Sequence, residues 1–344
     1  MKKILWLIMS VVMTTAILTA CGEKTQEDVI SDLERNLDEL TGYKTKASMT
    51  LQTGEEPQVY DVEVWFKSPS FYRVALNHTE KDQSQIILRN EEGVFVLTPA
   101  LNKSFRFQSD WPENNSQVYL YESLMNDILM DPERAFTATE DHYTFQTNTN
   151  YTNKNLNQQE VRLNKKDLTP ASVKVMDAEL SILVEVAFED FQLNAEFSEG
   201  DFEMDRNMTG AQLETEVPAM TDEEEVDEEF AVFYPMYEPQ GTALSKSEEV
   251  ETDTGLRVVL TYEGDKPFTL IQQQSQVVEA STPIDLAVGE PVDLGFTFGV
   301  LTGDDDSYTI SWSVEGTDFF LASETIDKEE LMSIARSVYG THEK

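Results

Sequence analysis

The sequence predicts an α+β protein: a meander of antiparallel strands flanked by helices, followed by a second, smaller α+β domain. Three observations carry this. Between residues 45 and 193, short segments with two-residue alternation of apolar and polar side chains recur between turn signals. Stretches with apolar residues three and four apart precede, interrupt and end these strands. The composition then switches at Glu199–Glu229, where 13 acidic residues stand against one basic residue, and like-charge blocks of this kind repel and rarely pack.

In chain order, Thr25 to Leu40 reads as an amphipathic helix through Val29, Ile30, Leu33, Leu37 and Leu40, with Gly42 ending it. Strands follow at Thr45–Leu51, Val59–Lys67, Phe71–Asn77, Gln85–Arg89, Val94–Thr98 and Ser104–Gln108. Gly54-Glu55-Glu56-Pro57, Ser68-Pro69-Ser70, Asn90-Glu91-Glu92-Gly93 and Pro99-Ala100-Leu101-Asn102 separate them as turns. A second helix spans Ser116 to Leu129, with Pro132 just beyond it. Strands resume at Tyr143–Thr149, Gln159–Leu163, Ala171–Met176 and Leu180–Leu193. Residues 25–203 form the first domain, 206–229 an acidic linker, and 230–344 the second domain. The latter holds strands at Leu256–Tyr262, Phe268–Gln274, Val292–Leu301, Tyr308–Val314 and Phe319–Ser323 and a helix from Asp327 to Tyr339, with Asp327 and Glu330 as a capping box.

The 344 residues carry 25 basic and 65 acidic side chains, a formal net charge of −40. Phosphate backbones require clustered Lys and Arg, so nucleic acid is excluded as a partner. The same charge repels an anionic membrane surface, so membrane adhesion must come from a lipid rather than a basic patch.

Cys21 is the only cysteine and closes Leu18-Thr19-Ala20-Cys21, behind Lys2, Lys3 and an apolar stretch from Ile4 to Leu18. That is a secretory signal ending in a lipobox. The stretch is too short for a membrane helix, which needs roughly 20 apolar residues. Residues 1–21 are therefore expected to be a lipoprotein signal peptide, with Cys21 diacylated and the chain held on the extracytoplasmic face of the cell membrane. Two acyl chains suffice for stable anchoring, where one binds only marginally. With the thiol committed to the anchor, disulfides and thiol catalysis are excluded.

Enzymatic signatures are missing. The three histidines, His78, His142 and His342, stand far apart, and no His-Glu-x-x-His, Gly-x-Ser-x-Gly or phosphate-cradling glycine loop occurs. Gly303-Asp304-Asp305-Asp306-Ser307 lacks the alternating acids and closing Glu of a calcium loop and reads as an acidic hairpin turn. No catalyst, cofactor or metal is expected.

The segments Val64-Trp65-Phe66-Lys67-Ser68-Pro69-Ser70-Phe71-Tyr72-Arg73, Asn90 to Pro99 and Lys103-Ser104-Phe105-Arg106-Phe107, placed after one amphipathic helix, resemble the LolA/LolB-like lipoprotein carrier superfamily over about residues 25–200. The resemblance implies a curved antiparallel half-barrel covered by helices, with an apolar cavity for acyl chains. A lipobox departs from the freely shuttling carriers, so the chain is more similar to the membrane-bound YdcC/GerS-like group of Gram-positive sporulation and germination lipoproteins. Tyr308 to Leu321, followed by Glu329-Glu330-Leu331-Met332-Ser333-Ile334-Ala335-Arg336-Ser337-Val338, resembles an uncharacterised domain of Gram-positive surface and anti-sigma-factor proteins.

Adjacent aromatics such as Trp65-Phe66 and Phe71-Tyr72 must point to opposite faces of a strand, and one face could line a ligand pocket, since pockets are mostly apolar and aromatic. Val64, Phe66, Phe71, Phe95, Leu97, Phe105 and Phe107 are the candidate lining residues. Two readings of function follow. In one, the first domain binds an acyl chain, a lipid or a lipoprotein segment without catalysis; in the other, the chain is a structural or regulatory module that binds another envelope protein and has no lipid ligand.

Overall fold

The computed structural model describes residues 24–52, 57–80, 84–107, 111–112, 117–149, 151, 156–215, 231–252, 255–276, 284–286, 289–295, 297–303, 307–314 and 316–341. Cys21, the signal segment before it and residues 216–230 of the acidic run lie outside them. The chain divides into two compact units, residues 1–39 and 40–344.

The first unit contains α1 (Gln26–Asp38). Thr25 caps it: its hydroxyl accepts from the Asp28 N–H at 3.2 Å, and the Asp28 carboxylate accepts from the Thr25 N–H at 3.0 Å. These hydrogen bonds hold the Asp28 carboxyl below its ordinary range. Asp32 gathers Lys24 and Arg35 on the solvent side, while Val29 and Leu33 are fully buried.

The second unit opens at β1 (Gly42–Leu51). Gly42 starts this strand rather than ending the helix. A Cβ there would lie 2.6 Å from the Phe66 carbonyl oxygen, so the close approach of the neighbouring strand is what requires glycine. The meander continues through β2 (Gln58–Lys67), β3 (Phe71–His78), β4 (Ser84–Asn90), β5 (Gly93–Thr98) and β6 (Lys103–Phe107). Helix α2 (Tyr121–Met130) comes next, then β7 (Ala135–Ala138), β8 (His142–Asn148), β9 (Gln158–Asn164), β10 (Pro170–Met176) and β11 (Ile182–Leu193). The expected start of the last strand at Leu180 is displaced. Leu180 has φ 65° in a tight turn, where the Asp177 carboxylate accepts from the Glu179 and Ser181 N–H groups at 3.0 and 2.7 Å.

A further difference follows β11. The acidic stretch expected to be linker from residue 206 begins as a helix, α3 (Met204–Thr215). Met208 is buried together with Ala75, Ile86, Leu88, Phe95, Leu97 and Phe202. Asn207 fixes it by accepting from Arg73 Nε at 2.6 Å and donating to the Asp201 and Glu203 carbonyls. The apolar positions Met204, Met208 and Ala211 recur at helical spacing within the charged composition.

The second sheet contains β13 (Thr242–Thr252), β14 (Gly255–Gly264), β15 (Phe268–Gln274), β17 (Glu290–Asp293), β18 (Phe298–Gly303), β19 (Tyr308–Val314) and β20 (Thr317–Ser323), in the order β13-β14-β15-β20-β19-β18-β17. The single strand expected over Val292–Leu301 is a hairpin. Gly295, at φ 90°, makes its turn, and the Asp293 carboxylate accepts from the Gly295 N–H at 2.7 Å. Helix α4 (Lys328–Arg336) is capped by Asp327, and β12 (Phe233–Pro235) pairs with β21 (Val338–Thr341).

The first sheet has twelve strands, because β16 (Ile284–Leu286) leaves the second domain and pairs in parallel with β6. Its order is β16-β6-β5-β4-β3-β2-β1-β11-β10-β9-β8-β7. The two sheets are thus joined at a strand edge. They are also joined by Gln85 of β4, which donates to the Phe298 carbonyl at 3.1 Å and accepts from its N–H at 2.5 Å. Lys103 and Asp318 add an ion pair at 2.8 Å.

The large sheet is open and curved. Helix α2 touches β3 through Glu122 and Tyr72, and β8 through Asp131, its C-terminal cap, and Asn148. On a flat sheet these strands, six places apart in the order, would be separated by about 29 Å, whereas a ten-residue helix is about 15 Å long. The strands therefore wrap around α2, whose side is the inner face.

The inner face of the large sheet as candidate functional site

Strand register assigns each side chain to a face, since directly opposed residues share one. Tyr43 lies opposite Phe66, Phe66 opposite Tyr72, Val64 opposite Val74, Val74 opposite Ile87, and Ile87 opposite Val96. Val96 is opposed by Phe105 and Val94 by Phe107. On the other wing Ala47 lies opposite Phe188, Met49 opposite Val186, Val186 opposite Val173, Val173 opposite Val161, and Val161 opposite Phe145. This apolar face spans both wings, and most of its members are buried.

The seven sequence candidates divide between the faces. Val64, Phe66, Phe105 and Phe107 are on the inner one. Phe71, Phe95 and Leu97 are on the outer face, where Phe95 and Leu97 belong to the core beneath α3 and Phe71 packs against it. The phase of each strand decides this: Tyr72 and Val74 point inward on β3, and Val94 and Val96 on β5, so Phe71, Phe95 and Leu97 must point outward. They are neighbours of one another but not of Val64 and Phe66. Cys21 lies outside the described residues.

Helix α2 brings two polar stations to this apolar surface. At its first turn Glu122 accepts from the Tyr43 hydroxyl at 3.0 Å and the Tyr72 hydroxyl at 3.3 Å, and Tyr43 also accepts from the Tyr121 N–H at 3.1 Å. The rings of Tyr43, Phe66, Tyr121 and Phe191 surround the station, with Tyr43 and Phe191 stacked at 5.1 Å. Burial pushes the Glu122 carboxyl up to about 7, although the two hydroxyls favour its charged form. Burial likewise raises the Tyr43 hydroxyl well above its usual range, and the nearby Glu122 adds to the effect.

The second station lies nearer the other end of the helix. Asp127 accepts from Gln159 Nε2 at 2.8 Å, and Gln159 Oε1 accepts from the Tyr151 hydroxyl at 2.9 Å. Thr147 lies directly opposite Gln159 on β8, and its buried hydroxyl oxygen has no hydrogen-bond partner among the described residues. Asp293 enters from the second sheet. Its charge disfavours ionisation of Tyr60, Tyr119 and Tyr151, all of which burial already raises. Burial also raises the Asp293 carboxyl, against the Gly295 N–H and Arg336; Arg336 donates to the Asp293 carbonyl at 2.9 Å.

Sequence reasoning missed Tyr43, Glu122, Asp127, Gln159 and Asp293. The available signal was a pair of acids, Glu122 and Asp127, set among Tyr121, Leu124, Met125 and Ile128 on a helix with an apolar face. Among the described residues, no group of three His, Cys, Asp or Glu side chains is arranged to hold a metal, and no helix is long and apolar enough to cross a membrane.

Comparison with known proteins adds kinship. A chain from Bacillus subtilis strain 168 named "Sporulation protein YdcC" is 46% identical over 344 residues, covering 100% of this chain and 99% of the relative. A domain of unknown function, DUF4367, matches residues 232–338. Likenesses to solved structures are weaker. The Pseudomonas aeruginosa MucA/MucB complex aligns at TM-score 0.33 and 11% identity, covering 92% of this chain and 100% of that one. A putative outer membrane lipoprotein-sorting protein domain from Vibrio parahaemolyticus aligns at 0.31 and 11%, covering 52% and 97%. The structure of the Clostridioides difficile CwlD amidase with the GerS lipoprotein aligns at 0.28 and 16%, covering 51% and 96%. The family model described as "Sporulation protein YdcC-like" matches residues 1–202, and with the full-length relative this places the chain in the sporulation protein YdcC-like family.

Proposed function

We propose that this protein is a lipoprotein, held on the extracytoplasmic face of the cell membrane through Cys21, whose curved sheet binds an acyl chain, a lipid or a lipoprotein segment without catalysis. One observation carries the reading: an apolar inner face continuous over both wings of the sheet, against a helix of only ten residues. That face sets the polar groups of Glu122 and Asp127 among apolar side chains, and an apolar ligand with a few polar contacts suits a surface of this composition. The name of the Bacillus subtilis relative supports a setting in sporulation.

The test is a Cys21→Ala chain purified from the soluble fraction, extracted with organic solvent and examined by mass spectrometry. Copurifying lipid in stoichiometric amount supports the reading. Its absence favours the alternative, a module that binds another envelope protein. A Cys21→Ala chain that stayed on the membrane would remove the lipid anchor from the account.

A further inference from the structure

The strand β13 lies at the edge of the second sheet and, among the described residues, pairs only with β14. It runs for 11 residues, about twice the length of a common strand. Such an edge presents a row of backbone groups ready to pair with another chain, and proteins usually close it by shortness, proline, a bulge or a covering element. β13 contains no proline, and its one register shift, between Leu244 and Lys246, leaves Lys246–Thr252 in regular pairing with β14. Every residue from Ser245 to Glu251 is exposed.

The phase of the ladder shows which backbone groups point outward. The Asp265 N–H donates to the Gly241 carbonyl at 3.1 Å, so Thr242 and Gly264, which lie between them, form a pair without mutual hydrogen bonds. Alternation along β14 then makes Gly255, Arg257 and Val259 the hydrogen-bonded partners of Thr252, Val250 and Glu248. The N–H and C=O groups of Ser247, Glu249 and Glu251 are left on the open side. Their side chains share a face with Leu260, Val258 and Leu256, which lie directly opposite and bring no charge. On the other face Glu248 meets Lys246 at 2.7 Å, beside the exposed Val250.

Charge decides what can add to this edge. A second copy carries the same acids on its own β13 and the same net charge of −40, and like charges opposed across strands are destabilising. Asp222–Glu229 of the same chain, seven acids in eight residues, is unsuited for that reason too. We propose that β13 takes up an extended segment of another protein as a further antiparallel strand, one with Lys or Arg at every second position, its cations opposite Glu249 and Glu251. Backbone hydrogen bonds to Ser247, Glu249 and Glu251 hold the segment, and the alternating basic side chains select it. This interface is separate from the inner face of the large sheet and does not depend on what that face binds.

The experiment titrates the full chain, carrying Cys21→Ala for solubility, by calorimetry with two isomeric peptides. Both are acetyl-Thr-Lys-Val-Lys-Val-Lys-Val-Thr-amide; one is N-methylated at its lysines and the other at its valines. Charge and composition are identical, so adhesion to an acidic surface treats them alike. A lysine opposite Glu249 turns its own N–H toward β13, because residues opposed in an antiparallel pair exchange both hydrogen bonds or neither. The valine-methylated isomer keeps those donors and should bind about tenfold tighter than the other, with slowed hydrogen exchange across Lys246–Thr252. Glu249→Lys with Glu251→Lys, at two exposed positions, should abolish this binding and admit the valine-methylated peptide that has Glu in place of Lys.

Equal binding of the two isomers, or binding of neither, overturns the proposal. A preference that survives the charge reversal, or protection that appears elsewhere in the chain, also overturns it. Protection of β13 that rises with protein concentration alone would assign the edge to a second copy instead.

Discussion

A carboxylic acid beneath an apolar sheet is a titratable element of the fold. Glu122 is raised to about 7 by desolvation, while the hydroxyls of Tyr43 and Tyr72 partly offset this. A carboxyl with a folded value above its unfolded one binds its proton more tightly in the native state. Its stabilising contribution is complete below about 4.5, where both states are protonated, and is lost as pH rises toward 7. A tenfold difference in proton affinity between the folded and unfolded chain corresponds to about 1.4 kcal/mol. Relative to Glu122→Gln, the wild-type chain should therefore lose roughly 1 kcal/mol of stability per pH unit between pH 5 and 7. Urea unfolding of both proteins across that range measures the difference, and parallel curves would mean that Glu122 stays ionised throughout.

Among elements, α3 is the one whose composition hides its role. Met208 is 1% exposed among Leu88, Phe95 and Leu97, so Met208→Ala should cost about 3 kcal/mol through lost burial and the resulting cavity, read from the urea midpoint. Asn207→Ala should cost about 2 kcal/mol, because it leaves Arg73 Nε without that acceptor and the helix start without its clamp. The sequence made the meander, the helices at α1, α2 and α4, and the second sheet's inner strands legible, since these alternate or repeat cleanly. It did not reveal β7, a four-residue edge strand, or β13, where Ser245-Lys246-Ser247-Glu248-Glu249 masks alternation along a solvent-exposed edge. The candidate site was half legible for a related reason. Aromatic content is visible in a sequence, but which face a strand turns inward depends on register with its neighbours, and so Phe71, Phe95 and Leu97 fell on the wrong side. Glu122, Asp127 and Asp293 were not legible, because 65 acidic residues make any one of them unremarkable until burial singles it out.

At the scale of the whole second unit, the question left open by the sequence was whether an acidic stretch separates two independent bodies. The contacts answer it on one side of the sheet: β16 extends β6, Gln85 pairs with the backbone of Phe298, and Lys103 meets both oxygens of Asp318 at 2.8 and 2.9 Å. That ion pair is largely withdrawn from water, its side chains being 14% and 11% exposed, and Asp318 also accepts from Ser275 and Ser313 at 2.7 and 2.6 Å. Breaking such a pair from one side leaves a desolvated charge without its partner, at a cost of about 3–5 kcal/mol. Replacing both members by apolar residues of similar size is often close to neutral. Asp318→Ala should therefore destabilise strongly, and Lys103→Met with Asp318→Leu should recover most of the loss. If the two sheets unfold as one cooperative unit, hydrogen exchange in Asp318→Ala will show peptides from β4 to β6 losing protection together with those from β18 to β20. Loss confined to β18–β20 would show instead that the second sheet opens alone and that the inner face of the first can be uncovered without unfolding it.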